Sequence, residues 1–267
     1  MANGIVVVRG AGDIATGILY ILKNFGYTTV ATELEAPSSI RRTVSLCEAV
    51  YEGIYSVENI TGEFCGHKDI RKVLSKGHIP VLVDPEASVI GALRPDIVVD
   101  AIIAKKNTGT SIDMAETVIG IGPGFVAGRD VHAVVETNRG HDLGRVILSG
   151  SAQADSGVPG LIGGYSKERV IYAPRAGRIK NIKNIGDHVQ AGEAVAMVEG
   201  EPVLSHISGT LRGLIRDGYP VTKGFKTADV DPRDVSAHCR TISDKARLVG
   251  FGALLAIQIL SINKKEQ

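Results

Sequence analysis

Two groups of residues in this chain have the types and spacing that chemistry needs. The first is Gly10-x-Gly12-x-x-Ala15, which follows the apolar run at 5–8 directly and opens a helical pattern at Ile14, Ile18, Ile21 and Leu22. Gly10 allows a tight turn and Gly12 lets a pyrophosphate reach bare backbone. Ala15 lets the helix pack close to the strand, so that the helix N-terminus faces the anion. The candidate cofactor contacts are therefore Gly10, Ala11, Gly12, Asp13, Ile14 and Gly17. Glu33 follows the second strand pattern, at 27–32, where an acid can take a ribose hydroxyl pair; Glu35 is the other candidate for that role. The adjacent Arg41 and Arg42 follow, and a planar guanidinium fork suits a phosphate. Asp84 and Asp100 end two further apolar runs and join the same candidate rim. The second group is Glu136, Arg139 and His141, at and just beyond the end of a strand pattern at 131–137. A carboxylate, a guanidinium and an imidazole together can do acid–base work or bind an anion; an ion pair bracing a turn would use the same residues.

These residues need a frame. Short runs at 5–8, 79–83 and 97–99 are apolar on both faces and alternate with helical patterns, which predicts an α/β fold with a doubly wound, Rossmann-like parallel sheet. In such sheets ligands bind beyond the carboxyl ends of the strands, where Gly10, Glu33, Asp84 and Asp100 would lie. Ser45 with Glu48 has the pattern of a capping box, predicting a helix that ends at Gly53. Residues 68–75 read as a short amphipathic helix, and the glycine-rich stretch at 149–164 reads as a long loop. The apolar run at 250–260 is too short to span a bilayer and predicts a buried C-terminal helix capped near Ser243.

The 267 residues carry 30 Lys and Arg against 29 Asp and Glu, so electrostatics argue for neither nucleic acid nor a membrane surface as partner. Cys47, Cys65 and Cys239 show no paired spacing, which argues against a disulfide framework or a metal site and suits a reducing cytoplasm.

From 173 onward the sequence repeats itself at an offset of 32 residues. Gly177 matches Gly209, Ile179 matches Leu211, Ile182 matches Leu214, Gly186 matches Gly218, Val189 matches Val221, Gly192 matches Gly224 and Val198 matches Val230. Two such halves can bury their apolar faces against each other as a quasi-twofold β module. This resembles the barrel-sandwich hybrid of biotinyl and lipoyl domains, which carry their cofactor on a lysine at the hairpin between the halves. The matching hairpin here, at 199–204, has no lysine, so a swinging-arm carrier is not expected. The resulting domain plan is a nucleotide- or cofactor-binding domain at 1–168, the β module at 169–235, and a C-terminal helix at 236–267 packing back on the core.

Six blocks taken together resemble the YqeB family: residues 9–17, 41–45, 49–53, 122–125, 136–141 and 161–164, with sequences RGAGDIATG, RRTVS, AVYEG, GPGF, ETNRGH and LIGG. Members of that family are accessory proteins found with selenium-dependent molybdenum hydroxylases. The family is in turn similar to the XdhC group, which binds molybdenum cofactor and delivers it to a hydroxylase. The resemblance therefore implies a maturation protein that holds molybdopterin or its dinucleotide at the strand rim for a molybdenum hydroxylase apoenzyme. In that reading Arg41 and Arg42 lie near a phosphate, and Glu136, Arg139 and His141 face the pterin or metal end. Selenium or sulfur transfer through Cys47 or Cys65 belongs to the same reading. Two others stand beside it: an NAD(P)-dependent oxidoreductase using the glycine turn, and a scaffold that docks the hydroxylase through the β module and binds no small molecule.

Overall fold

The computed structural model describes residues 4–265, so residues 1–3 and 266–267 of the first and last segments of the domain plan lie outside it. The chain divides into two compact units. Unit 1 comprises Met1–Pro37, Ser45–Ser156 and Ile242–Gln267; unit 2 comprises Ser38–Val44 and Gly157–Thr241.

Unit 1 is mixed α/β. In chain order it runs β1 (Ile5–Arg9), α1 (Asp13–Asn24), β2 (Thr28–Glu33), α2 (Ala49–Glu52), β3 (Ile54–Val57), β4 (Ile60–Phe64), α3 (Ile70–Ser75) and β5 (Ile79–Val83). It continues with α4 (Val89–Leu93), β6 (Ile97–Asp100), β7 (Thr117–Ile121), β8 (Ala133–Val135) and β9 (Val146–Ile147), and closes with α5 (Asp244–Lys265). The strands form one sheet in the order β3-β4-β5-β2-β1-β6-β7-β8-β9, parallel from β4 to β8 with an antiparallel strand at each edge. The chain builds outward from β1 on one side through β2, then returns to lay β6 on the other side. The strand order thus reverses beside β1, the kind of position beyond whose strand ends open α/β sheets bind ligands.

The centre of this sheet is dry on both faces: Val6, Val7, Val8, Val98, Val99, Val118 and Ile119 are all fully buried. That explains why these strands read as continuous apolar runs. The segment after β2 differs from its expected form: a 3-10 turn at Leu46–Glu48 leads into α2, and the Ser45 side chain does not cap it. Gly53 still ends the helix, at φ 79°.

The C-terminal helix is longer than the apolar run that predicts it. By length and composition Asp244–Asn263 is long and apolar enough to cross a bilayer. Within unit 1, however, one side of α5 packs on α1, β7 and β8, burying Ala246, Val249, Ala253, Ala256 and Ile257. Its start is capped as expected, with the Ala246 N–H donating to the Ser243 hydroxyl at 3.1 Å.

Unit 2 contains β10 (Val170–Tyr172), β11 (Gly177–Asn181), β12 (His188–Val189), β13 (Ala194–Val198), β14 (Glu201–Leu204), β15 (Gly209–Leu214), β16 (Pro220–Val221) and β17 (Lys226–Asp231). They make two four-stranded sheets, β10-β17-β15-β12 and β14-β13-β11-β16. The sequence repeat is visible as a reciprocal exchange. Val189 of the first half pairs with Gly209 of the second, and Gly177 of the first pairs with Val221 of the second. The matched glycines 177 and 209 adopt the same backbone, φ 153° and 150°. Their matched neighbours Ile179 and Leu211, Val189 and Val221, and Val198 and Val230 fill one core. Ile182 departs from the pattern: it is exposed, whereas Leu214 is buried. The hairpin between β13 and β14 turns on Glu199 and Gly200, both at positive φ, as a tight two-residue connection requires.

The boundaries of the sequence-based domain plan do not coincide with the two units. Residues 38–44 join unit 2 because the Leu214 N–H donates to the Ile40 carbonyl at 2.7 Å and Arg42 Nε donates to the Leu214 carbonyl at 2.8 Å. Residues 157–168 join it as well, with Arg169 donating to the Gly160 carbonyl.

Candidate nucleotide site at the first strand–helix turn

The site begins where β1 stops. Gly10 takes φ 100°, and a Cβ there would come within 3.0 Å of the Ala101 carbonyl oxygen, so a larger residue is excluded by conformation and space together. Gly12 is the N-cap of α1, with φ −67° and ψ −173° and no side-chain cap. A Cβ built on Gly12 meets nothing within 4 Å, and its N–H has no partner among the described residues. The position therefore offers an amide donor and open space at the positive end of a twelve-residue helix. Asp13 and Ile14 form the first helical turn, where the Ile14 N–H donates to the Asp13 carboxylate.

One donor of the turn is already engaged. The Ala11 N–H donates to Glu33 Oε2 at 2.9 Å, and Oε1 of the same carboxylate accepts from Leu34 N–H at 2.8 Å. Burial raises the affinity of Glu33 for its proton, and these two backbone donors pull the other way. Glu33 thus reaches the turn, as its place at the end of β2 predicts. It rests on the backbone instead of standing clear of it.

Gly17 has a different job from the one expected. A Cβ there would lie 2.5 Å from the Ala246 carbonyl oxygen, and one on Gly250 would lie 2.7 Å from the Gly17 carbonyl oxygen. These two glycines let α1 and α5 touch backbone to backbone.

Asp100 is in the rim but fully committed. Its Oδ2 accepts from Arg9 Nη1 at 3.2 Å and from the Thr110 hydroxyl at 2.5 Å, and its Oδ1 accepts from Ile102 N–H at 3.1 Å. Arg9 also donates to the Thr110 hydroxyl, and both charged side chains are essentially buried. Asn107 ties up the loop that brings Thr110 in, accepting from Gly109 and Thr110 N–H and donating to the Thr110 carbonyl. The same loop holds Ile103 at φ 59°, an uncommon backbone for a β-branched residue. Sequence reasoning did not single out Arg9, Asn107 or Thr110. A usable signal existed for Arg9: a guanidinium ending a strand that is buried on both faces must find a carboxylate.

Arg41 and Arg42 are carried by unit 2. There Arg41 donates to the His238 carbonyl at 3.0 Å, and Arg42 to the Leu214 carbonyl. Glu136, Arg139 and His141 are near in sequence, but no hydrogen bond or ion pair joins them among the described residues. The Glu136 carboxylate accepts three backbone N–H bonds at 2.7 Å, from Thr137, Asn138 and Gln153. Arg139 grips Asp244 at the start of α5 through two bonds, and His141 lies exposed. Glu136 is therefore a loop brace and Arg139 a helix anchor. Asp84 caps α4, accepting from Ser88 and Val89 N–H.

The thiols are held protonated. Cys47 is buried beside the turn, its N–H on the Ala11 carbonyl; burial and the nearby Glu33, Glu48 and Asp13 push its thiol up. Burial likewise pushes Cys65 up to about 11.

Over 257 residues the chain is 46% identical to YqeB of Escherichia coli (strain K12), which is 96% of this chain and 48% of that protein. The chain thus spans about half the length of this curated relative. No family model matches it. Among solved structures, it is similar to a succinylglutamate desuccinylase/aspartoacylase from Rhodobacter sphaeroides, at 13% identity and TM-score 0.28, covering 85% of this chain and 84% of the other. It is also similar to the product-bound ectoine utilization protein EutE (DoeB) from Ruegeria pomeroyi, at 19% identity and TM-score 0.22, covering 32% of this chain and 27% of the other. At such TM-scores neither likeness bears on fold or activity.

Proposed function

The chain belongs to the YqeB family, and on that premise we propose that unit 1 holds the pyrophosphate of a dinucleotide cofactor at the Gly10–Gly12 turn. The observation that carries this reading is Gly12: an unengaged amide and an unfilled Cβ direction at a helix N-terminus, where the strand order of a largely parallel sheet reverses. The family resemblance narrows the ligand to molybdopterin or its dinucleotide, and the role to maturation of a selenium-dependent molybdenum hydroxylase. NAD(P) offers the same linker and is the competing ligand.

Gly12 N–H, and Ala11 N–H once Glu33 gives it up, are the donors for the linker in this reading. The cofactor would supply redox chemistry to the enzyme that finally receives it; this chain's residues would bind it. Arg41 and Arg42 are carried by unit 2, where one nitrogen of each donates to backbone carbonyls, so the linker donors in this reading are the amides of the turn. Sulfur or selenium transfer through Cys47 or Cys65 finds no support, because the thiolate is the nucleophile and both thiols hold their protons at neutral pH. Unit 2, read as a barrel-sandwich-hybrid-like module without an acceptor lysine, serves as a docking surface for the hydroxylase. Three free cysteines suit a cytoplasmic setting.

A binding titration tests the proposal. The purified protein is expected to bind molybdopterin cytosine dinucleotide more tightly than NAD(H). Gly12→Val fills open space, so it should fold with a stability loss of no more than about 1 kcal/mol and lose the ligand. A Gly12→Val protein that binds as before removes the turn as the site, and tighter binding of NAD(H) makes the oxidoreductase reading the better one.

A further inference from the structure

The hydrogen bond from Ala11 N–H to Glu33 has a consequence for how an anion enters the turn. The Glu33 carboxylate occupies one of the two amides that a pyrophosphate would use. Glu33 and the ligand cannot both be anionic there, because the amide serves one acceptor and like charges at contact disfavour ionisation. The groups packed around Glu33 do not relieve this. Asp13 from α1 and Glu48 from the segment before α2 act, together with Glu33, on the Cys47 thiol beside the turn, and all three are acids. On the neighbouring strand β5, Asp84 follows Val83, the register partner of Glu33, and its carboxylate is spent on capping α4. On β1, the Arg9 guanidinium is turned to Asp100.

We propose that Glu33 is a proton-linked stopper of the glycine turn, so that the site accepts a pyrophosphate only as Glu33 takes up a proton and releases the Ala11 amide. This deepens the cofactor-site reading and rests on it. The acid is suited to the role: it is half-buried, and two backbone amides hold it in place in the ligand-free protein. Once protonated, the carboxyl is a much weaker acceptor that yields Ala11 N–H to an anionic oxygen, and its hydroxyl can donate to the incoming anion.

The test uses ADP-ribose, whose pyrophosphate diester does not titrate near neutral pH, against the full chain and Glu33→Gln. Glutamine keeps an oxygen for Ala11 N–H, so the variant should fold, but that oxygen is neutral and yields the amide to an anion. The wild type should lose affinity about tenfold per pH unit above the free-protein value of Glu33, as uptake of one proton requires. The variant should show a flat profile and bind tighter at the alkaline end. A wild-type profile as flat as that of Glu33→Gln overturns the proposal. So does a variant that binds more weakly at every pH, which would make Glu33 an acceptor for ribose hydroxyls. Absence of binding by both proteins at all pH values instead brings down the nucleotide reading of the turn itself. A second readout needs no ligand: the Ala11 amide resonance should titrate together with the Glu33 carboxyl, and an amide that stays fixed overturns the stopper.

Discussion

β1 has a carboxylate on either side of its carboxyl end, and the two are used in opposite ways. On the β6 side, Asp100 is locked to Arg9, Thr110 and Ile102. On the β2 side, Glu33 accepts only backbone amides, and one of these belongs to the glycine turn. The same contrast appears in the glycines of α1. Gly17 is small because another helix leans on it; Gly12 is small with nothing leaning on it. The structure thus separates residues that hold the site together from residues that are held ready.

Three changes sharpen or break that contrast. The largest effect is expected from Asp100→Ala, which leaves the Arg9 guanidinium buried without its carboxylate and should cost about 3–5 kcal/mol in denaturant unfolding. A loss no larger than that of a Glu33 variant would mean that the Arg9 pair is not the lock described. Next comes Gly17→Ala, whose new methyl would meet the Ala246 carbonyl at 2.5 Å; overpacking of α1 against α5 should cost about 1–3 kcal/mol, read as a lowered melting midpoint. The smallest is Glu33→Gln, within about 1 kcal/mol and dependent on pH. Because burial raises the native-state proton affinity of Glu33, the folded protein holds that proton more tightly than the unfolded chain. The wild type should therefore lose stability as pH rises from the ordinary carboxylate value of 4.5 to the higher native value, and lose no more beyond it. The variant lacks that loss, so denaturant midpoints measured across pH should diverge in its favour over this window.

Much of the frame was legible from local pattern. Residues 5–8, the glycines and the helical period of α1 are contiguous, so neighbouring residues alone dictate strand, turn and helix. The repeat at 32 residues was legible for a similar reason, since each half carries its own turns and apolar alternation. The tertiary destinations of charged side chains were not. Arg139 and Asp244 are 105 residues apart, and Arg41 reaches a carbonyl 197 residues away. Nothing in the windows around 139 or 41 encodes those partners, so nearness in sequence made Glu136, Arg139 and His141 look like one group. Gly17 misled in another way: a glycine reports that something comes close, while the identity of the neighbour is set by a helix more than two hundred residues later.

The strand exchange in unit 2 decides how that unit can be divided. Because β12 completes the edge of β15 and β11 completes the edge of β16, neither 32-residue half owns a finished sheet. A half expressed alone would carry bare edges, and could satisfy them only by lending its strand to a second molecule of itself. Such a fragment is expected to be a twofold dimer or unfolded, and the two halves of the intact unit should melt in a single transition.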